Sequence, residues 1–108
     1  MESEPPILFR VVTPLGFAVR CTEAYWRFIV TQKHPTLSGR EKEVEAALAD
    51  PEEIRLSRKD TGVYLFYRGG SNKWVCAIAR RGEADGFLIT AYPTDAIKAG
   101  VQIWKRSK

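Results

Sequence analysis

The chain has 108 residues, of which 44% are hydrophobic and 28% charged, with a formal net charge of +4. That size and balance fit one domain, residues 1–108, and exclude wholesale disorder and low complexity. No apolar run approaches the ~20 residues of a membrane-spanning helix. The acidic start Met1-Glu2-Ser3-Glu4, with no apolar stretch behind it, predicts no secretory signal, so a cytoplasmic protein without a membrane partner is expected. Cys21 and Cys76 lie far apart, and one histidine completes no zinc-ligand spacing, so neither a metal nor another cofactor is expected.

Charge is unevenly spread. Residues 1–52 hold 6 Lys/Arg against 8 Asp/Glu, net −2, and residues 53–108 hold 11 against 5, net +6. A basic second half suits a polyanion such as nucleic acid, although a net magnitude of about 2–8 is also ordinary solubility charge.

In chain order, Ile7-Leu8-Phe9-Arg10-Val11-Val12 is rich in strand formers, Thr13-Pro14-Leu15-Gly16 carries turn chemistry, and Phe17-Ala18-Val19-Arg20-Cys21 returns. The expectation is an N-terminal β-hairpin over 1–21. Thr22 is a fitting N-cap, and Tyr25, Trp26, Ile29 and Val30 form a helical stripe, which places a helix near 23–33. Pro35 ends it by pushing His34 out of helical geometry. Ser38-Gly39-Arg40-Glu41 fits a capping box and predicts a second helix over 38–49, stopped at Asp50-Pro51. The hydrophobic period then changes to two. Ile54–Ser57, Val63–Arg68, Trp74–Arg80 and Phe87–Tyr92 alternate and are joined by glycine-rich turns, which predicts an antiparallel meander within 53–104. Val101-Gln102-Ile103-Trp104 is a last short element suited to covering an edge. The expected fold is α+β: two helices packed on a four-stranded antiparallel sheet, with the hairpin added.

Most enzyme chemistries lack their parts here. There is no P-loop, no dinucleotide glycine motif and no GxSxG elbow, and the carboxylates of the sheet half sit in or beside turns. What remains suits RNA, which supplies its own 2′-hydroxyl nucleophile and needs only general acid–base groups and fixed cations. Alternation puts Arg55 and Ser57 on one face of their strand, and Thr90 and Tyr92 on one face of theirs. Arg58, Tyr67, Arg80 and Lys98 add cations and a ring for phosphates and bases.

His34-Pro35, Asp50-Pro51-Glu52-Glu53-Ile54 running into Ser57, Val63-Tyr64-Leu65-Phe66-Tyr67-Arg68 and above all Phe87-Leu88-Ile89-Thr90-Ala91-Tyr92-Pro93-Thr94-Asp95 with Lys98 and Gly100 resemble the phage-associated branch of the barnase–EndoU–colicin–RelE superfamily of metal-independent ribonucleases. The resemblance spans roughly residues 25–104. It implies a RelE/barnase-like fold and a toxin-like or phage-derived endoribonuclease, with RNA as substrate and a small acidic antitoxin-type protein as a possible partner. It implies His34 as acid or base, Ser57 and Thr90 lining the cleft, and Tyr92 with Arg55 or Arg80 on the phosphate. The family pattern has a lysine near the end of the third strand, where this chain has Ala79-Arg80-Arg81; arginine stays protonated and cannot serve as a base.

Plainer roles stand beside these. His34 can cap a helix end, Ser57 and Thr90 can be ordinary strand residues, and Cys21 and Cys76 can be small buried hydrophobes. The second functional reading is therefore a non-catalytic module of the same fold that binds RNA or a protein.

Overall fold

The computed structural model describes residues 5–70, 73–97 and 99–107. Seven strands make one sheet: β1 (Ile7–Val12), β2 (Ala18–Thr22), β3 (Glu53–Leu56), β4 (Val63–Gly69), β5 (Trp74–Arg80), β6 (Gly86–Thr94) and β7 (Val101–Lys105). Their spatial order is β1-β2-β6-β5-β4-β3-β7. The helices are α1 (Glu23–Phe28) and α2 (Glu41–Ala49), and no described helix is long and apolar enough to cross a membrane.

The expected four-stranded antiparallel sheet with a separate hairpin is thus corrected to a seven-stranded mixed sheet with two short helices. Strands β3 to β6 pair antiparallel with their sequence neighbours, because short turns permit nothing else. The hairpin is not an appendage: β2 joins β6 in parallel through Val19–Gly86 and Arg20–Phe87. This junction spans both helices and three strands of sequence, so no local turn signal announces it. Gly86 permits it sterically, since a Cβ there would lie 3.1 Å from the Phe17 ring and 2.7 Å from the Arg80 carbonyl oxygen. At the other margin β7 pairs antiparallel with β3.

Thr22 caps α1, its side chain accepting from the Tyr25 N–H at 3.1 Å. The predicted helix does not run to residue 33 as an α-helix. Over the β-branched run Ile29-Val30-Thr31 it widens into a π-helical turn, Ile29–Lys33, in which the His34 N–H reaches the Ile29 carbonyl at 2.8 Å. The Thr31 hydroxyl bonds back to the Arg27 carbonyl at 2.7 Å, a local contact that loosens α-helical geometry. The expected capping box at Ser38 does not form either. Gly39 takes φ +81°, which breaks the helical path, and α2 begins at Glu41 after Arg40 with no side-chain cap.

The main core lies between the helices and one face of the sheet. Trp26, Ile29 and Leu37, with Val44, Ala47 and Leu48 at helical spacing on α2, meet Ile54, Phe66, Val75, Ala77, Ala79, Leu88 and Ala91 from the strands. Phe17, at the β1–β2 turn, folds over the same face and meets Tyr64 and Phe66 at ring-centroid distances of 5.4 and 6.3 Å. The opposite face carries a smaller cluster of Leu65, Tyr67 and Cys76, flanked by Trp74, Ile78, Tyr92 and Ile97.

Candidate functional site

The second face is where most of the sequence-designated polar residues gather. Register sets them in two rows across β3, β4, β5 and β6. One row is Glu53, Tyr67, Cys76, Tyr92; the next is Arg55, Leu65, Ile78, Thr90.

At the β6 end, the π-helical turn matters. Its extra residue per turn and the stop at Pro35 leave His34 with φ −139° and ψ 78°, half-buried beside β6. Single π turns recur at functional positions because they re-aim a side chain. Here the His34 ring meets the Tyr92 ring at 5.7 Å between centroids, tilted by 45°. Two residues earlier on β6, Thr90 has a buried hydroxyl oxygen with no hydrogen-bond partner. A buried hydroxyl without a partner costs about 1–3 kcal/mol, so natural folds rarely leave one.

In the middle of the face, Cys76 stands between Tyr67 and Tyr92 as the cross-strand neighbour of both. Burial pushes the thiol and the Tyr67 phenol up to about 12 each. Tyr92 is raised above its ordinary value as well, first by burial and then by Cys76. All three therefore hold their protons at neutral pH: the tyrosines are donors, and Cys76 is no nucleophile. Tyr67 is fully buried, so it does not serve as the exposed base-stacking ring expected of it.

At the β3 end, the Arg55 guanidinium is bound by the Glu53 carboxylate at 2.6 Å and by the Gly100 carbonyl at 3.2 Å. Ser57 lies just past β3, its N–H bonded to the Val63 carbonyl at 2.9 Å and its hydroxyl accepting from the Lys59 N–H at 3.2 Å. With Arg58, Lys59, Leu65, Ala99 and Gly100 it lines an open cavity of about 360 Å³. Three strand spacings, roughly 14 Å, separate β3 from β6. Ser57 and Arg58 consequently stand apart from His34. Arg80 is paired with Asp60 in the β3–β4 turn, and Arg81 stacks over Phe17, 4.8 Å from its centroid. Lys98 lies outside the described residues.

The structure brings His34 to Tyr92, with Thr90 two residues along β6 on the same face, places Ser57 and Arg58 at a second station, and gives Arg55 and Arg80 carboxylate partners. Sequence reasoning missed the part played by Cys76. Counting register outward from the short β4–β5 connection puts Tyr67 opposite Cys76, but a bulge between Ile78 and Ala79 shifts β6 by one residue, so the place of Tyr92 in that row could not be counted from the sequence. Among the described residues no group of three or more His, Cys, Asp or Glu is placed to hold a metal ion. Compared with known proteins, the chain matches no family model, no curated protein and no solved structure.

Proposed function

We propose that the chain is a metal-independent endoribonuclease acting on single-stranded RNA in the cytoplasm, with His34, Tyr92 and Thr90 around the reacting phosphate. The observation that carries this reading is the His34–Tyr92 contact, with the unpartnered Thr90 hydroxyl two residues away on the same strand. In the reaction, neutral His34 takes the 2′-hydroxyl proton and the freed oxygen attacks phosphorus. The bond to the 5′-oxygen breaks, and that oxygen takes a proton from Tyr92. An alkoxide is more basic than a phenolate, so a phenol raised by burial still serves as the donor. The Thr90 hydroxyl is closed to solvent in the unliganded protein, so it donates to a non-bridging phosphate oxygen only once the side chains over it part. Arg58 and Lys59 hold a neighbouring phosphate. The products are a 2′,3′-cyclic phosphate and a 5′-hydroxyl.

The second reading, a module that binds RNA or an acidic antitoxin-type protein without cleaving, is favoured by the pairing of Arg55 with Glu53 and of Arg80 with Asp60. Those pairs leave less free positive charge near a phosphate than a nuclease commonly uses.

The deciding experiment is cleavage of a labelled single-stranded RNA in EDTA, with the product ends identified. Cyclic-phosphate ends, and a rate loss of about 10²–10⁴-fold in His34→Ala with unchanged circular dichroism, are expected from general acid–base work. Wild-type protein that binds the RNA with strong salt dependence yet leaves it intact would establish the second reading instead.

A further inference from the structure

Strand β2 accompanies β6 for only two residue pairs before the chain turns at Thr22 into α1, while β6 runs on. A wedge opens between them. It forms a cavity of about 320 Å³ with Cys21, Tyr25 and Leu88 among its walls and Ile7, Phe87 and Arg20 beside them. The Tyr25 hydroxyl braces it, donating to the Ile89 carbonyl at 2.6 Å.

Two features mark this wedge as a ligand site. Ile7 and Phe87 remain 42% and 46% exposed on its walls, and Phe28, 44% exposed, stacks on Tyr25 at 5.7 Å. Large apolar side chains left gathered in the open mark interaction surfaces. The second feature is charge. Arg10 lies across the hairpin from Arg20 and holds both oxygens of Asp85, at 2.8 and 2.9 Å. Asp85 is thereby committed; Arg20 acts on it only through its charge, as the last of the causes that lower the Asp85 carboxyl, and forms no ion pair with any described residue. The other polar groups are occupied: the Thr22 hydroxyl accepts from the Tyr25 N–H, and the Tyr25 hydroxyl donates to β6.

We infer that this wedge binds a small apolar monocarboxylate, its tail among Ile7, Tyr25, Phe87 and Leu88 and its carboxylate on the Arg20 guanidinium. The volume lies at the low end of the range for small-molecule sites, about 300–1,000 Å³, so the ligand is smaller than a typical drug. One guanidinium without an ion-pair partner among the described residues matches one carboxylate in a planar, two-bond pair. A phosphate ester with two charges would call for a second cation, and Arg10 is already engaged. The site is independent of the RNA chemistry assigned to the other residues.

The test is calorimetric titration of the full chain with decanoate, kept below its micellar range, and in parallel with decanamide. Decanoate is expected to bind roughly 10–100-fold more tightly than decanamide, the increment of a hydrogen-bonded charged pair. Arg20→Gln is expected to abolish that difference while leaving decanamide binding unchanged, and Phe87→Ala to weaken both ligands. Phe87 is largely exposed, so its removal leaves the core intact. Equal affinity for the two ligands, a preference for decanoate that survives Arg20→Gln, or no binding of either would each overturn the assignment.

Discussion

The two faces of the sheet are built for different ends. The helix-side face buries aromatic and aliphatic groups from nearly every element, and its buried members carry no chemistry beyond the Cys21 thiol. The other face buries Leu65, Tyr67, Cys76 and Glu53, and brings two phenols, a thiol, an ion pair and an unpartnered hydroxyl into two cross-strand rows, with an imidazole against Tyr92 at their β6 end. One face supplies the free energy of folding. The other retains polar groups whose burial opposes it, which is the pattern expected of a working surface.

The largest expected effect follows from the first face. Phe66 is fully buried and touches the turn, helix and strand layers together. Phe66→Ala should cost about 3–5 kcal/mol in urea unfolding, a large share of the roughly 5–15 kcal/mol available to a domain. Loss of less than about 1 kcal/mol would mean that this core does not dominate.

Next in size is a response to alkali that links the faces. Cys21 on the helix side, and Cys76 and Tyr67 on the other, are each raised to about 12 by burial. Their folded values exceed their unfolded ones, so the folded state holds protons that the unfolded state releases. Their contribution is fully present at neutral pH, falls as pH passes the unfolded values near 9–10, and is gone above about 12. Each group adds a slope of up to about 1.4 kcal/mol per pH unit in that window. Denaturation curves between pH 7 and pH 11 should show a plateau and then a decline, and Cys76→Ala should make the decline shallower. A flat profile to pH 11 would show that these groups are not buried as described.

Much of this division was legible in the residues, but unevenly. The period change at Pro51 and the glycine turns announced β3 to β6, because those pairings are local. The mixed sheet was not legible, since the β2–β6 junction depends on Phe17 closing over Gly86 from a distant part of the chain. Thr90 and Tyr92 were found as a pair by alternation alone. The contact of Tyr92 with His34 rests on the π-helical turn, whose only sequence trace is the β-branched run before Lys33. Ser57 shares a polar character with these residues but not their position, and alternation along one strand says nothing about distance across three.

A smaller effect is expected at the centre of the second face. Tyr67→Phe removes a buried hydroxyl from the row that holds Cys76 while keeping the ring. A loss of about 1–2 kcal/mol is expected, since the hydroxyl is not among the unpartnered buried atoms and whatever polar group faces it is left alone. If RNA cleavage depends on Tyr92 being held in this row, the rate should fall modestly as well, with substrate affinity unchanged. An unaltered stability would show that the row is incidental to the fold.

The smallest change in stability, and the one that separates the two faces most cleanly, is expected at Thr90. Its hydroxyl is buried without a partner, so Thr90→Val exchanges an unsatisfied polar atom for a methyl of similar shape. Such an exchange gives up no hydrogen bond and removes a desolvation cost, so stability should stay level or rise by up to about 1 kcal/mol. On the helix-side face no buried substitution is expected to do that, because each removes packing. The functional expectation has the opposite sign. If the hydroxyl is reserved for a phosphate oxygen, Thr90→Val should lose about 10-fold or more in kcat for RNA cleavage, while Thr90→Ser should retain most of it. A more stable and less active Thr90→Val would place this position among groups kept for chemistry at the fold's expense. A variant less stable than wild type would show that the hydroxyl has a structural partner, such as bound water, and would remove Thr90 from the proposed site.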